Sequence, residues 1–517
     1  MKSVRGRAGR LGRGVEFVVE RLEDRRVLSS LGGPAADLPV LTRGGLFNVA
    51  INGPGLERIS PAGHGQVAIT LFATTIDTTL TISATLPRFH QPFVPLQIAS
   101  IRLISGQIGT INAPSADLNG PLTVNGTMNK VTFADINSNA RLTVNGALNT
   151  INVLNNVNLG PGGFIRVGGD VTNAVDVGGS LNLDGGQFAI GRDLTGALSV
   201  TGDMTLSDGG RFVSGRDVQA INIGGNLVVS APAGTGLFID GNLFNLKVNG
   251  FFQGQGSPAA VDFSVGLDLG GMSILGGGAN AGGLRGVNMN VNKSINALYV
   301  ARGIFNSLIT AGVSIVGMTV GPDGATALLD SQLLAGSQIS SVTFLGDVVS
   351  NFPTSPNPGG YATRIVAGEL RGGQYLPDSS VDGLVITGGL VDSVIAASVA
   401  PYGGDGTLPP PVPYGGTQRT VGSPAPGSYQ TYNAPAGLTF SGASPIKNYS
   451  ELTFPASGKP FVTWDTALSP VIDNTILAGG VANVIVEGGV TSTLHGPQFD
   501  FTGVLAETTQ GVNGGIA

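Results

Sequence analysis

One short pattern returns along this chain at intervals of 20–26 residues, and that recurrence limits what it can fold into more than any other feature. PLTVNGTMNKVTF from Pro121 is echoed by RLTVNGALNTINV from Arg141, a shift of 20 residues. A sharper frame follows at Asp170, Asp193, Asp217, Asn242, Asp268 and Ser294, with successive spacings of 23, 24, 25, 26 and 26 residues. Weaker copies lie upstream at Gln97, Thr127 and Ala147, and downstream at Ser314, Gln338, Ser380 and near Gly480. A fixed period of this size means that each repeat is one structural unit stacked on the next.

The residues between the frames identify the unit. Segments such as Leu122-Thr123-Val124-Asn125 and Leu198-Ser199-Val200-Thr201 alternate apolar and polar, then break at Gly, Asn or Asp, which is the signature of short strands. A 3.6-residue periodicity is not sustained anywhere, and the fixed L-x-x-L-x-L-x-x-N pattern of leucine-rich arrays is missing. The sequence therefore predicts an all-β, right-handed parallel β-helix of about 13–15 coils. At roughly 4.8 Å per coil it would be a rod of roughly 60–70 Å.

Composition agrees with stacked thin layers. Of 517 residues, 83 are Gly and only 12% are charged, so charge repulsion cannot keep the chain unfolded. The 41% hydrophobic content falls in short runs, which fill a core if many layers stack. With no Cys, disulfides, thiolate metal sites and a Cys nucleophile are excluded. The net charge of −6 offers no basic footprint for nucleic acid. No apolar run approaches the roughly 20 residues of a membrane-spanning helix.

The ends and one interior stretch differ from the repeats. Residues 1–40 form a basic leader, with Lys2, Arg5, Arg7, Arg10 and Arg13 ahead of the short apolar run Val15-Glu16-Phe17-Val18-Val19. Glu16 and Glu20 interrupt that run, so it is not an ordinary secretory signal. The string RLEDRRVLS that follows resembles the N-terminal LEPR-XLL motif of large, repetitive, exported bacterial proteins. Leu22, Glu23, Arg25 and Leu28 match it, whereas Asp24 stands in place of its Pro and Val27 in place of its first Leu. The resemblance implies a sorting address and an exported, cell-surface or extracellular location, and no activity.

Residues 41–95 carry the strand-like VAITLFATTI and TTLTISATL and are expected to cap the rod, since a bare sheet edge invites strand addition. The rod itself is assigned to 96–400. Residues 401–474 are rich in Pro, Gly and Tyr, too poor in backbone donors for a regular ladder, and read as an excursion from its side. A final coil at 475–506 and a tail at 507–517 complete the chain.

Candidate chemistry is sparse. The aspartates of the frame fall in one column, where stacked carboxylates repel and something must compensate them. Corner geometry favours Asp and Asn on backbone grounds, with Arg192 and Arg216 as flanking counter-charges. A calcium site and a catalytic carboxylate site are the competing readings, and the Asn and Ser at two frame positions argue against a repeated calcium site. Asp184-Gly185-Gly186 and Asp208-Gly209-Gly210, 24 residues apart, read as paired turns. His64, His90 and His495 have no partner at ligand spacing, and neither a G-x-S-x-G elbow nor an H-E-x-x-H motif is present. Neither a cofactor nor a catalytic residue is assigned.

Tyr402, Tyr414, Tyr429 and Tyr432 cluster in the Pro-rich stretch, where exposed rings could stack on sugars or on a protein. Two functions follow. The first is a non-catalytic structural or adhesion protein whose partner is a polysaccharide, extracellular matrix or another surface protein. The second is a polysaccharide lyase or glycoside hydrolase on the same scaffold, which would need acidic and basic groups converging in one groove.

Overall fold

The computed structural model describes residues 38–397, apart from breaks at 43–44, 87–93, 257–259, 277–282, 352–362, 371–373, 376–378 and 392, and isolated strands beyond, out to Ala506. The leader, with Leu22, Glu23, Arg25 and Leu28, lies outside the described residues. All regular structure among the described residues is β, and the body is a parallel β-helix.

Each coil is short because the chain turns, often at Gly, Asn or Asp, after two to eight strand residues. One coil runs Leu148–Val153, Val157–Leu159 and Phe164–Val167, and the next runs Val171–Val177, Leu181–Asp184 and Gln187–Ile190. Every strand pairs in parallel with its equivalent one coil on: Ile151 with Val175, Val157 with Leu181, Ile165 with Phe188. The rod therefore has three sheet faces, called here first, second and third in that order.

The alternation in sequence becomes inside and outside. Inward residues form columns such as Val153, Val177, Val200, Ile223, Val248 and Ile274, all buried. Phe188 and Phe212 stack in neighbouring coils on the third face, with ring centroids 5.7 Å apart. One hydrophobic cluster runs unbroken from Val40 to Ile395. Burying an Ile or Val in such a column contributes roughly 1.5–3 kcal/mol. The third-face strands Leu308–Ala311, Gln332–Ala335 and Arg364–Ala367 are buried on both sides, polar residues included, with Arg364 donating to Gln332 Oε1 at 3.2 Å.

The repeat frame holds in register on the first face. Pairings and bridges align Thr127, Ala147, Asp170, Asp193, Asp217, Asn242, Asp268, Ser294, Ser314, Gln338, Ser380 and Gly480. Gln97 is the exception. It sits in Leu96–Leu103, a third-face strand that pairs with Val67–Phe72, and the position in register with Thr127 is Gln107. The segment QIASIRL has the alternation of a first-face strand, but alternation alone does not say which face a strand joins. Asp184 and Asp208 are also staggered: Asp184 pairs with Ser207, and the second turn holds one extra residue, Asp208, in the left-handed region at φ 50°.

At the N-terminal end the pattern becomes antiparallel. Leu38–Thr42, Gly45–Asn52 and Thr79–Leu86 form one antiparallel sheet, and Leu56–Pro61 with Val67–Phe72 forms a hairpin. Thr79–Leu86 then pairs in parallel with Thr110–Ala113, and Val67–Phe72 with Leu96–Leu103, so the leading sheets cover the first coil and share its core. Further on, Ser379–Ile386 pairs directly in parallel with Gly479–Val486.

Local backbone demands appear where coils differ in length. Leu194–Val200 carries one residue more than Val218–Ile223, and the register slips between Leu194 and Ala197. Gly196 lies in this bulge, where a Cβ would stand 1.2 Å from the carbonyl oxygen of Asn173.

Candidate functional site

The column of acids along the first-face corner has a structural use. Asp170 Oδ1 accepts the backbone N–H of Asp193 at 3.2 Å, Asp193 Oδ1 accepts that of Asp217 at 3.0 Å, and Asp217 Oδ1 accepts that of Asn242 at 2.7 Å. Asn242 Oδ1 takes the N–H of Asp268 and Asp268 Oδ1 that of Ser294, at 3.1 and 3.0 Å. Each side chain caps the corner one coil ahead, which explains why Asn substitutes for Asp: the ladder needs an acceptor, not a charge. The expectation that Arg192 and Arg216 compensate these carboxylates is corrected. Neither forms an ion pair among the described residues, where the pair present is Arg285 with Asp323 at 2.8 Å. Backbone N–H dipoles supply the compensation instead.

A second ladder runs along the next corner and escaped the sequence reading. The N–H of Asn156 donates to Asp135 Oδ1, that of Ser180 to Asn156 Oδ1, that of Asp203 to Ser180 Oγ, and that of Asn226 to Asp203 Oδ1, over 2.6–3.3 Å. The signal was present. Gly179-Ser180-Leu181, Gly202-Asp203-Met204 and Gly225-Asn226-Leu227 repeat the form of Gly169-Asp170-Val171, so the same corner motif occurs twice per coil.

Besides Glu57 in the cap, three acids stand apart from the ladders because they are buried. Asp117 is 7% exposed; its Oδ2 accepts from Gln97 Nε2 at 2.6 Å, and its Oδ1 has no hydrogen-bond partner. Burial pushes its carboxyl up to about 6, opposed by the Gln97 bond and reinforced by the neighbouring Asp135. An amide relay extends away from it, Asn119 Nδ2 to Gln97 Oε1 at 2.9 Å and Asn137 Nδ2 to Asn119 Oδ1 at 2.8 Å. Asp262 is fully buried and also raised to about 6 by burial, against the N–H donors of Asn288 and Gln255. Burial likewise raises Asp330, whose carboxylate accepts the N–H of Asn351 at 2.6 Å. Sequence reasoning singled out none of these, since each is an ordinary Asp in a strand or turn until the coil is closed around it.

On the outside of the first face lies a shallow groove lined by Ser199, Thr201, Asn222, Gly224, Lys247 and Asn249. Ser199, Asn222 and Lys247 are one outward row across three coils, continuing to Ser273 and the exposed Tyr299. Gly224, in the same lining, packs tightly on the preceding coil: a Cβ there would meet the carbonyl oxygen of Thr201 at 2.1 Å.

Of the tyrosines singled out from sequence, Tyr402, Tyr414 and Tyr429 lie outside the described residues. Tyr432 opens a two-residue strand, Tyr432–Asn433, paired antiparallel with Thr439–Phe440. His64 is exposed at a cap turn, and His90 and His495 lie outside the described residues. Among the described residues no cluster of three or more His, Cys, Asp or Glu has the geometry to hold a metal ion. No family model, curated protein or solved structure matches the chain.

Proposed function

We propose that this chain is a non-catalytic structural or adhesion protein of the cell surface or exterior, a stiff rod that presents a hydroxyl- and amide-rich face of few charges to a polysaccharide, extracellular matrix or another surface protein. The observation that carries this reading is how the acids are used. Asp170, Asp193, Asp217 and Asp268 are spread evenly along the rod, each spent on a backbone N–H of the next coil, whereas a hydrolase or lyase needs its charged groups to converge in one cleft. The leader's resemblance to LEPR-XLL segments supports the exported location.

The purified protein should retain glycans or cell-envelope fractions and release no new reducing ends or unsaturated sugars from them. Turnover of any bound polymer would overturn the reading. Removing residues 401–474 separates a binding role of the excursion from a structural one: binding lost with melting temperature kept makes it the adhesive element, and a fall in melting temperature makes it part of the rod's support.

A second reading, a carbohydrate-active enzyme, draws on one site. Asp117, raised to about 6 beside Asp135, has the pKa of a general acid. Its 7% exposure puts it out of reach of a polymer unless the coil opens. Hydrolysis that is abolished by Asp117→Asn would favour this reading over the adhesive one.

A further inference from the structure

We infer that the first-face groove at Ser199, Asn222, Lys247 and Asn249 is a binding site for a carboxylate-bearing glycan chain; this deepens, and rests on, the adhesive reading. The lining has the chemistry for it. Ser and Thr hydroxyls and Asn amides both donate and accept, so Ser199, Thr201, Asn222 and Asn249 can meet sugar hydroxyls in either sense. Lys247 is exposed and enters no ion pair among the described residues, so its ammonium is uncommitted. The acid in the same outward row, Asp176, stands three coils from Lys247, roughly 14 Å away.

Shape fixes the kind of ligand. The groove is shallow and lies open on a flat sheet, so it suits a chain lying across coils better than an enclosed small molecule. The outward row continues through Ser273 to Tyr299, two coils or roughly 10 Å beyond Lys247. Tyr299 is 45% exposed, and its ring can stack on a sugar of the chain that Lys247 anchors by its carboxylate. A single lysine among neutral donors gives one charge contact per site, with the rest of the affinity from hydrogen bonds and stacking.

The test uses the full chain immobilised on a sensor, with polygalacturonate, its fully methyl-esterified form and neutral dextran as probes. Polygalacturonate should bind, weaken as salt rises, and bind better than the ester or dextran. Lys247→Gln should raise Kd about three- to fivefold and flatten the salt dependence, while Lys247→Arg keeps both. Asn222→Ala should raise Kd roughly three- to tenfold without changing the salt dependence. Equal binding of the ester, or Lys247→Gln and Asn222→Ala variants that bind like the parent, would overturn the site. If the parent retains envelope fractions but not polygalacturonate, the groove assignment falls and the adhesive reading stands. If it retains neither, both fall.

Discussion

Asp217 gives the most direct test of what the acidic column does. Its Oδ1 accepts the N–H of Asn242 at 2.7 Å and the side-chain Nδ2 of the same residue at 3.0 Å, and its own N–H donates to Asp193. Asp217→Ala removes the acceptor and leaves the Asn242 N–H to find water at a half-buried corner. A hydrogen bond to a charged acceptor contributes roughly 1.5–3 kcal/mol, and partial access of water puts the expected loss near the low end, about 1.5 kcal/mol. Asp217→Asn keeps an acceptor at the same place and loses only the charge, so it should cost about 0.5 kcal/mol or less, as Asn242 itself illustrates one coil on. The readouts are the urea midpoint and amide hydrogen exchange, where 1.5 kcal/mol corresponds to roughly tenfold faster exchange at Asn242 if opening is local. Two results would refute the reasoning: exchange at Asn242 unchanged in the Ala variant, or an Asn variant as damaged as the Ala one. The second would mean that the charge matters in its own right.

Ile223→Asp, at 1% exposure between Val200 and Val248, should cost roughly 1–3 kcal/mol or more in a urea melt, and an equally stable variant would mean the strand faces the other way. Gly196→Ala should cost at least roughly 1–3 kcal/mol, because the bulge must shift to clear the Asn173 carbonyl, and an unchanged midpoint would show that the coil yields freely. Asp117 and Asp262 have folded-state pKa values raised from 3.8 to about 6, so their contribution is full below 3.8 and lost as pH rises through about 6. The melting temperature should therefore rise on going from pH 7 to pH 5, and Asp117→Asn should flatten that rise. Chelation with EDTA should leave the melting temperature unchanged, since the ladder carboxylates are occupied by backbone N–H groups, and a large fall would reinstate calcium.

The parallel β-helix and the frame from Thr127 to Gly480 were legible because both depend on periodicity, and inward Val, Ile and Leu must recur once per coil whatever the corners do. Face assignment was less so. Gln97 carries the same local pattern as the true frame positions, and only the pairing of its strand with Val67–Phe72 moves it to another sheet. The role of the acids was half legible: Asp and Asn at corners follow from local backbone preference, but the N–H that each accepts lies 23–26 residues ahead. Arg192 and Arg216 drew attention as sequence neighbours of the aspartates, yet residues adjacent in sequence point to different sides of a strand or corner.

The same reasoning explains why the groove could not be read from the sequence. Ser199, Asn222 and Lys247 are 23 and 25 residues apart, and no single period brings them into one row, because the coil between Thr201 and Asn249 changes length at its corners. Coil length is set where the bulge at Gly196 and the corner turns add or remove a residue, so those positions choose which outward side chains become neighbours. Variation at corners thus alters the presented surface while the inward columns, and with them the fold, stay fixed. A rod built this way can change its outward surface by gaining or losing one corner residue, and Gly224 is held to glycine by a different demand, the Thr201 carbonyl oxygen that a Cβ would meet at 2.1 Å.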